Sequence, residues 1–212
     1  MRAVIFDLWD TLVDWPLAEG TLLRDRVAEL VPVPGGEFEE RWQSTYRLSQ
    51  TGPLADAYVA LGLPSQHLAE QVEARHAFGR HALRPRAGVA RAIAELRRRN
   101  VKTAVLSNCS EEVPAAWPAS ELAGLFDAET FSSECGVMKP DPEIYLRTAR
   151  ALGHEPEECL FVGDGANDEL NGAERVGMTP VLFQVGALAR WPEVRGWSGL
   201  RVTTIEEVLE LC

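Results

Sequence analysis

The sequence lacks the features that mark a membrane protein or a secreted protein. No apolar run approaches the roughly eighteen residues that a membrane-spanning helix needs. The first residues pass directly into an apolar strand, without the charged and apolar regions of a signal peptide. We therefore expect a cytoplasmic protein.

Cysteine is sparse and positive charge is outnumbered. The formal net charge of −11 argues against nucleic acid or an anionic membrane as the main partner, although a local site can still attract a small anionic substrate. The cysteines show no CxxC spacing and no neighbouring histidine, which argues against a metal cluster or a disulfide framework. A nucleophilic role for Cys109 is not expected without a partner base. The oligomeric state stays open.

Residues 15–84 carry helical patterns and no strand signal. Apolar and charged residues follow the spacing of amphipathic helices, and turn residues separate one helix from the next. The predicted helices span 22–30, 37–49, 54–61 and 66–78. This stretch predicts a small α-helical cap domain.

Residues 1–14 and 85–212 alternate strands with helices instead. Strands are predicted at 4–6, 102–106, 126–131, 159–162 and 179–183. Helices are predicted at 89–99, 142–152, 170–176 and 204–211, with a further one in part of 111–122. Such alternation implies right-handed crossovers and a parallel sheet. The predicted fold class is therefore α/β, a three-layer Rossmann-like core with a parallel sheet, plus the helical cap.

Polar side chains stand where the predicted strands end. Asp7 follows the first strand, Ser107 and Asn108 follow the second, and Asp164 follows the strand that begins at Cys159. Lys139 opens a segment that leads into a helix and could reach the same place. Because the carboxyl ends of parallel strands share one edge of the sheet, we expect these side chains to converge there.

The residue types at this edge suit a divalent cation and a phosphoryl group. Acidic oxygens are the ligands that Mg²⁺ prefers, and a cation would relieve the repulsion among Asp7, Asp164 and Asp168. Lysine and hydroxyl side chains can hold the oxygens of a transferring phosphoryl group. The candidates for this second task are Lys139, Ser107 and Thr11.

Four motifs resemble those of the haloacid dehalogenase-like (HAD) hydrolase superfamily, in the same order. They are FDLWDTLVD, LSN, the lysine of MKPDPEIY, and VGDGANDELNGA followed by ERVGM. The helical stretch 15–84 is similar in position to the cap that this family inserts after its first strand. Such a cap would cover the site and exclude water.

The resemblance implies a catalytic role for several residues. Asp7 would be the nucleophile that forms a covalent aspartyl intermediate. Lys139 would steady both the nucleophile and the charge of the substrate. Ser107, with Thr11 nearby, would bind the oxygens of the transferring group, and Asn108 would belong to the same substrate-binding set.

The resemblance also implies a Mg²⁺ cofactor. Asp164 would hold the ion together with Asp7, and Asp168 would support the coordination directly or through water. The backbone carbonyl of Trp9 is a further expected ligand, and a carbonyl does not depend on the side chain. We therefore expect metal binding to survive whatever side chain stands at position 9.

Trp9 is the departure from the family pattern. Family phosphatases carry a second aspartate two residues after the nucleophile, where it protonates the leaving oxygen and later activates water. An indole can do neither, and Asp10, one residue later, is expected to be a turn or cap acid. Losing this group should cost about 10²- to 10⁴-fold in rate unless the leaving group needs no proton.

This departure keeps three functions open. The favoured one is Mg²⁺-dependent hydrolysis of a phosphoryl group on a small metabolite, with weak activity or a good leaving group. The 2-haloacid dehalogenases of the superfamily carry an aromatic residue at this position and release halide without a proton, but their site is metal-free, and their halide-binding arginine would have to be Arg41 or Arg47. A HAD-fold binding protein with little turnover is the third alternative.

Overall fold

A parallel β-sheet forms the centre of the molecule. The computed structural model describes residues 1–34, 36–185 and 191–212. Its strands are β1 (Ala3–Phe6), β2 (Lys102–Ser107), β3 (Ala128–Phe131), β4 (Cys159–Gly163), β5 (Thr179–Phe183) and β6 (Leu200–Val202). They lie in the order β3-β2-β1-β4-β5-β6, and every neighbouring pair is parallel.

Strand β1 lies in the middle of the sheet because it can be buried on both faces. All of its residues are apolar and buried, and it pairs with β2 on one side and β4 on the other. Successive side chains of a strand point to opposite faces. Accordingly Val4 and Phe6 join one apolar cluster, whereas Ala3 and Ile5 join another. This burial fixes the position of the residue that follows, Asp7.

Helices cover both faces of the sheet. Buried residues of one helix of the α/β core join the cluster on one face, and those of two later helices join the cluster on the other face, which confirms the three-layer α/β fold. These helices are α5 (Val89–Arg98) on the first face, and α8 (Pro142–Leu152) and α9 (Glu169–Arg175) on the second. In the described part of the chain, no helix has the length and apolar character that crossing a bilayer requires.

The long segment between β1 and α5 forms a separate helical layer. It contains α1 (Leu17–Leu30), α2 (Glu37–Thr51), α3 (Leu54–Leu61) and α4 (Ser65–Ala82). These helices surround an apolar cluster of their own, to which α1 contributes Val27 and α3 contributes Leu54, Tyr58 and Leu61. The two shorter helices of the core are α6 (Glu112–Ala116) and α7 (Ser132–Cys135).

The chain leaves and re-enters the α/β core at neighbouring points. Val13 forms an antiparallel bridge with Pro85, and the backbone N–H of Arg86 donates to the carbonyl of Leu12 at 2.8 Å. These contacts support a division into a core of residues 1–14 and 85–212 and a cap of residues 15–84. That division stays a prediction.

The clearest sequence signals gave the most accurate bounds. Pro142 in the first turn and the Asp141 side chain, which accepts from the N–H of Glu143 at 3.0 Å, start α8 at the predicted residue. Strand β6 was not predicted because it has three residues and only Val202 is buried, too few for a periodic pattern. The predicted last helix is shorter and forms a 3₁₀ turn at Glu206–Leu211.

Candidate active site

Asp7 lies at the carboxyl edge of the sheet, directly after β1. Its backbone N–H donates to the carbonyl of Val162 at 2.8 Å, so the parallel pairing with β4 continues up to this residue. The side chain is buried, with 6% of its surface exposed. A cavity of about 380 Å³ opens above it, and Trp9, Asn108 and Lys139 line the same cavity.

Lys139 is bound directly to Asp7. Its Nζ atom lies 2.5 Å from Oδ1 of Asp7 and 2.5 Å from Oε2 of Glu169, and the residue is 2% exposed. Burial by itself would lower the pKa of this ammonium, but the adjacent carboxylates of Asp7 and Glu169 outweigh burial and raise the pKa above its ordinary value. Lys139 therefore carries a fixed positive charge beside Asp7.

Asn108 fixes the backbone that carries this lysine. Its amide nitrogen donates to the carbonyl of Lys139 at 3.0 Å, and its amide oxygen accepts from the N–H of Lys139 at 2.8 Å. Both of these groups of the asparagine are thereby used within the protein. The structure thus gives Asn108 a positioning contact, while its expected role in substrate binding stays a prediction.

Three carboxylates converge at this edge of the sheet. Single oxygens of Asp7, Asp164 and Glu169 lie within 4.8 Å of one another, a spacing that could hold a metal ion. Burial, and then the charge of Asp7, raise the pKa of Asp164 to about 6. Burial also raises the pKa of Glu169, although Lys139 opposes this. The raised values record the cost of several negative charges in one buried place.

Glu169, and not Asp168 as expected from the sequence, is the acid that lies beside Asp7 and Asp164. The Asp168 side chain is 38% exposed and binds Arg175 at 3.1 Å and the Asn171 amide at 2.5 Å, so it is not in the converging group. Asn167 and Asp168 both adopt left-handed backbone conformations, with φ of 54° and 57°. This turn directs Asp168 outwards and brings Glu169, which is 1% exposed, into the site.

Glycines next to Asp164 make room for Glu169. A Cβ on Gly163 would collide with Oε1 of Glu169. The backbone N–H of Gly165 donates to that same oxygen at 2.9 Å. Glu169 is therefore held from two sides, by Lys139 and by the backbone of the loop after β4. The fourth motif contains Glu169, but nothing in its spacing distinguished this residue from Asp168 as the inward-facing acid.

The two predicted hydroxyl groups are buried close to the ends of β1 and β2. Thr11 is fully buried, and its hydroxyl has no hydrogen-bond partner among the residues that the structure describes. Ser107 ends β2, is also fully buried, and donates to the backbone carbonyl of Asn108 at 3.3 Å. Their roles in binding substrate oxygens stay predictions.

The ring of Trp9 belongs to a row of aromatic contacts with residues of the segment between β1 and α5. Its ring lies 4.9 Å from that of Trp15, edge to face, and Trp15 lies 5.3 Å from Phe78. Oδ1 of Asp10 accepts from the backbone N–H of Trp15 at 3.1 Å, a contact of the turn type expected for this acid.

Two more polar residues of the cavity were not selected from the sequence. Trp191 donates its indole N–H to Oδ2 of Asp164 at 2.6 Å. Arg75 of α4 lines the cavity and binds the buried Glu112 through two contacts, Nε to Oε1 at 2.9 Å and a terminal nitrogen to Oε1 at 2.8 Å. Neither residue belongs to a motif, so only the fold reveals their positions.

Cys109 does not have the properties of a nucleophile. The residue is 2% exposed, and its backbone is bound on both sides to the hydroxyl of Ser132. Burial, followed by the charge of Glu112, raises the pKa of its thiol well above the ordinary value. The thiolate that a nucleophilic role needs is disfavoured, in agreement with the sequence-based expectation.

Comparisons with known proteins give the same family throughout. A family model described as haloacid dehalogenase-like hydrolase matches residues 1–177. A phosphatase of Mycobacterium tuberculosis is 32% identical over 94% of this chain and 95% of its own length. An (S)-2-haloacid dehalogenase of a Pseudomonas species is 30% identical over 100% of this chain and 94% of its own length.

A solved structure supports the fold independently. The crystal structure of a HAD phosphatase from Thermococcus onnurineus superposes with a TM-score of 0.73 and covers 100% of this chain and 97% of that chain. The sequence identity of 22% is low, so this likeness concerns the fold alone.

Proposed function

This chain belongs to the haloacid dehalogenase-like hydrolases, and from that premise we propose that it hydrolyses a phosphoryl group on a small metabolite, with Mg²⁺ as cofactor and Asp7 as nucleophile. The observation that carries the proposal is the buried group of three carboxylates around Lys139 at the edge of the sheet. Relatives of both phosphatase and dehalogenase type exist, so the choice between them rests on this group.

The residues present fit a hard divalent cation. Asp7, Asp164 and Glu169 supply carboxylate oxygens, and the pKa of Asp164 is raised by burial and then by the charge of Asp7, a cost that a cation would relieve. We propose that Asp7, Asp164 and the backbone carbonyl of Trp9 hold Mg²⁺, with Glu169 taking the supporting role expected of Asp168. When bound, the ion would neutralise charge on the phosphoryl oxygens.

The protein groups divide the chemical work between them. Lys139 holds Asp7 in place and adds positive charge where phosphoryl oxygens would lie. An oxygen of Asp7 attacks phosphorus while the bond to the leaving oxygen breaks, which gives an aspartyl phosphate. Water then attacks phosphorus, phosphate leaves, and the Asp7 carboxylate is restored. Ser107 and Thr11 are the proposed ligands of the phosphoryl oxygens.

Trp9 restricts the substrates that such a site can use. The indole has no acidic proton to give to the leaving oxygen, so the leaving group must depart as a stable anion or the reaction is slow. Asp10 does not replace the missing acid, because its side chain is engaged in the turn with Trp15. We therefore propose acyl or aryl phosphates ahead of phosphate esters of simple alcohols.

Dehalogenation is the second candidate, and the aromatic ring at position 9 favours it. A halide needs no proton to depart, so Trp9 would be no handicap for that reaction. Against it, Asp7, Asp164 and Glu169 would have only the single ammonium of Lys139 to offset their three negative charges. This repulsion makes the cation-dependent reaction the better account of the residues.

A substrate panel separates the candidates. Acyl phosphates, aryl phosphates and short 2-haloacids would be tested with Mg²⁺ and with EDTA. The phosphatase proposal expects release of phosphate that needs Mg²⁺ and disappears in Asp7→Asn. Halide release in EDTA would replace it with dehalogenation. Absence of both reactions, with retained binding of phosphate compounds, would instead support a HAD-fold binding protein.

A further inference from the structure

A second cavity lies among the cap helices, next to the catalytic cavity. Its volume is about 290 Å³, and Leu54, Tyr58 and Leu61 of α3 and Trp42 of α2 are among the residues that line it. The three residues of α3 are each at most 5% exposed and belong to the apolar cluster of the cap. We call this cavity the apolar chamber. Packing holds these walls in place, so the chamber is formed before any ligand arrives.

The apolar chamber adjoins the cavity above Asp7. The same side chains form walls of both spaces, so a ligand bound at Asp7 would reach the chamber along them. The shared residues are Trp15, Leu17, Tyr46, Gln50 and Arg75.

Aromatic rings line the route between the two spaces. Trp9 lies beside Asp7 in the catalytic cavity, and its ring touches Trp15, which lines both cavities. The guanidinium of Arg75 lies 5.4 Å from the centre of the Trp15 ring, and the buried Glu112 holds that guanidinium. Contacts with Trp9 and Arg75 therefore hold Trp15 in place, and apolar ring surface extends from the reacting centre into the chamber.

We propose that the substrate is an acyl or aryl phosphate whose leaving group carries an apolar ring, and that this ring is seated in the apolar chamber. The proposal rests on the proposed function and names the substrate class of that same site. An apolar cavity of about 150 Å³ is large enough to take up benzene, so the chamber can hold a single ring with a short substituent. Trp9 agrees with both parts of this proposal. Its ring offers an apolar surface to the ring of the substrate, and it stands where a family phosphatase has the acid that such a leaving group does not need.

The proposed reaction balances without a proton from residue 9. Asp7 forms its bond to phosphorus, the bond between phosphorus and the leaving oxygen breaks, and the electron pair departs on an aromatic carboxylate or phenolate. Water then attacks phosphorus, the bond between phosphorus and the Asp7 oxygen breaks, and Asp7 is restored as a carboxylate while phosphate leaves with both protons of the water.

The first test compares benzoyl phosphate with acetyl phosphate in the presence of Mg²⁺. Both release a carboxylate, so the difference between them is the ring and not the chemistry of departure. We expect kcat/KM to be at least about tenfold higher for benzoyl phosphate, since filling an apolar pocket gives factors of this size. Equal values for two hydrolysed substrates would overturn the chamber proposal and leave the proposed function standing.

A pair of variants on α1 assigns the difference to the chamber. Thr21 is exposed and lines the chamber, so Thr21→Phe places a ring in that space without entering the core. We expect the preference for benzoyl over acetyl phosphate to fall to within about threefold of unity. Leu22→Phe, at a position on the same helix that is 62% exposed and outside the chamber lining, should keep the wild-type preference. An unchanged preference in Thr21→Phe would overturn the proposal.

A binding measurement keeps the proposal testable if neither acyl phosphate is hydrolysed, the result that would count against the proposed function. Phenylphosphonate and methylphosphonate carry the same anionic group and cannot be hydrolysed at phosphorus. Quenching of tryptophan fluorescence, to which Trp15 and Trp42 contribute, reports binding with Mg²⁺ present. We expect phenylphosphonate to bind at least about tenfold more tightly and to lose that advantage in Thr21→Phe. Equal affinities would overturn the chamber proposal without any turnover.

Discussion

At position 9 a single side chain separates this protein from the phosphatases that its other motifs resemble. The Trp9 backbone stays in the turn that follows β1, and the ring packs against Trp15. The substitution therefore removes an acid without disturbing the placement of Asp7 and Lys139, which bind one another directly. The proposed nucleophile and its positive partner are kept, whereas the acid that family phosphatases carry at this position is absent.

Restoring the acid should broaden the range of substrates. We expect Trp9→Asp to raise kcat/KM for a phosphate ester of a simple alcohol by about 10²-fold, because the new carboxyl can protonate the leaving oxygen. Acyl phosphates should gain little, since they leave without a proton. Phosphate release measured for both substrates checks this. Trp9→Asn removes the same ring but cannot titrate, and an equal gain in that variant would contradict the explanation.

A second substitution at residue scale tests which acid of the last motif matters. Glu169 binds Lys139 and lies within the carboxylate group, whereas Asp168 binds Arg175 outside it. We expect Glu169→Gln to weaken Mg²⁺ binding by about 10- to 100-fold, as substitutions of supporting groups at metal sites do. Asp168→Asn, the matched control, should stay within about threefold of wild type. A Mg²⁺ titration of activity would show the reverse order if the assignment is wrong.

The sequence could place Asp7 and Asp164 but not Glu169, the third carboxylate of the group. Each of those two follows a buried strand, so its position is determined by the sheet. Glu169 follows Asn167 and Asp168, two consecutive residues with left-handed backbone conformations. The residue spacings that predict helices and strands do not account for such a turn. Only asparagine, aspartate and glycine tolerate that conformation readily, so the turn was permitted by the sequence without being required by it.

At the scale of elements, a buried ion pair joins the helical layer between β1 and α5 to the α/β part of the chain. Arg75 of α4 binds Glu112 of α6, and Glu112 is fully buried. Oε2 of Glu112 has no hydrogen-bond partner within the described ranges, so the arginine is the main compensation for its charge. The pair therefore fixes α4 above the sheet edge where Asp7 lies.

Breaking this pair should destabilise the protein strongly. Arg75→Leu leaves a carboxylate buried without its partner, and we expect the free energy of unfolding to fall by about 3–5 kcal/mol. Urea unfolding at pH 7 measures the change. The double variant Arg75→Leu with Glu112→Leu removes the stranded charge and should recover most of the loss. If the double variant is no more stable than the single one, packing rather than charge is responsible.

Elements with many buried residues were predictable, and elements without them were not. The bounds of β5 and α8 were predicted correctly, and buried residues make up three positions of β5 and five of α8. Helix α7 has four residues, of which only Ser132 is buried, so it has no periodic apolar pattern from which it could be predicted. The edge of the sheet that carries Asp7 and Asp164 could be predicted because buried strands determine it. The apolar chamber could not be predicted, because it depends on how several helices pack together and not on any single helix.

For the molecule as a whole, a local excess of negative charge is buried where the chemistry is proposed to occur. The formal net charge is −11, and the group of Asp7, Asp164 and Glu169 with Lys139 carries part of that charge inside the protein. Without a cation, folding has to bring these carboxylates together at a cost. Protonation lowers that cost, and so would Mg²⁺, which means that protons and metal compete for the same place.

This competition predicts how pH and Mg²⁺ together set stability. Burial, and then the charge of Asp7, raise the pKa of Asp164 from 3.8 to about 6. The folded state therefore holds more protons than the unfolded state between these values, so without metal this group's contribution to stability falls as pH rises through them. At higher pH, where the Asp164 carboxylate is deprotonated, bound Mg²⁺ would restore this contribution to stability. Its stabilising effect should accordingly grow from pH 5 to pH 8.

Thermal unfolding with Mg²⁺ and with EDTA measures this effect. A cation at about one hundred times its dissociation constant stabilises the folded state by about 2.7 kcal/mol. For a chain of this size that corresponds to a rise in melting temperature of about 5–10 °C at pH 8, and the rise should be much smaller at pH 5. Asp164→Asn should abolish the pH-dependent part. An equal Mg²⁺ effect at both pH values, or its survival in Asp164→Asn, would place the cation somewhere other than this carboxylate group.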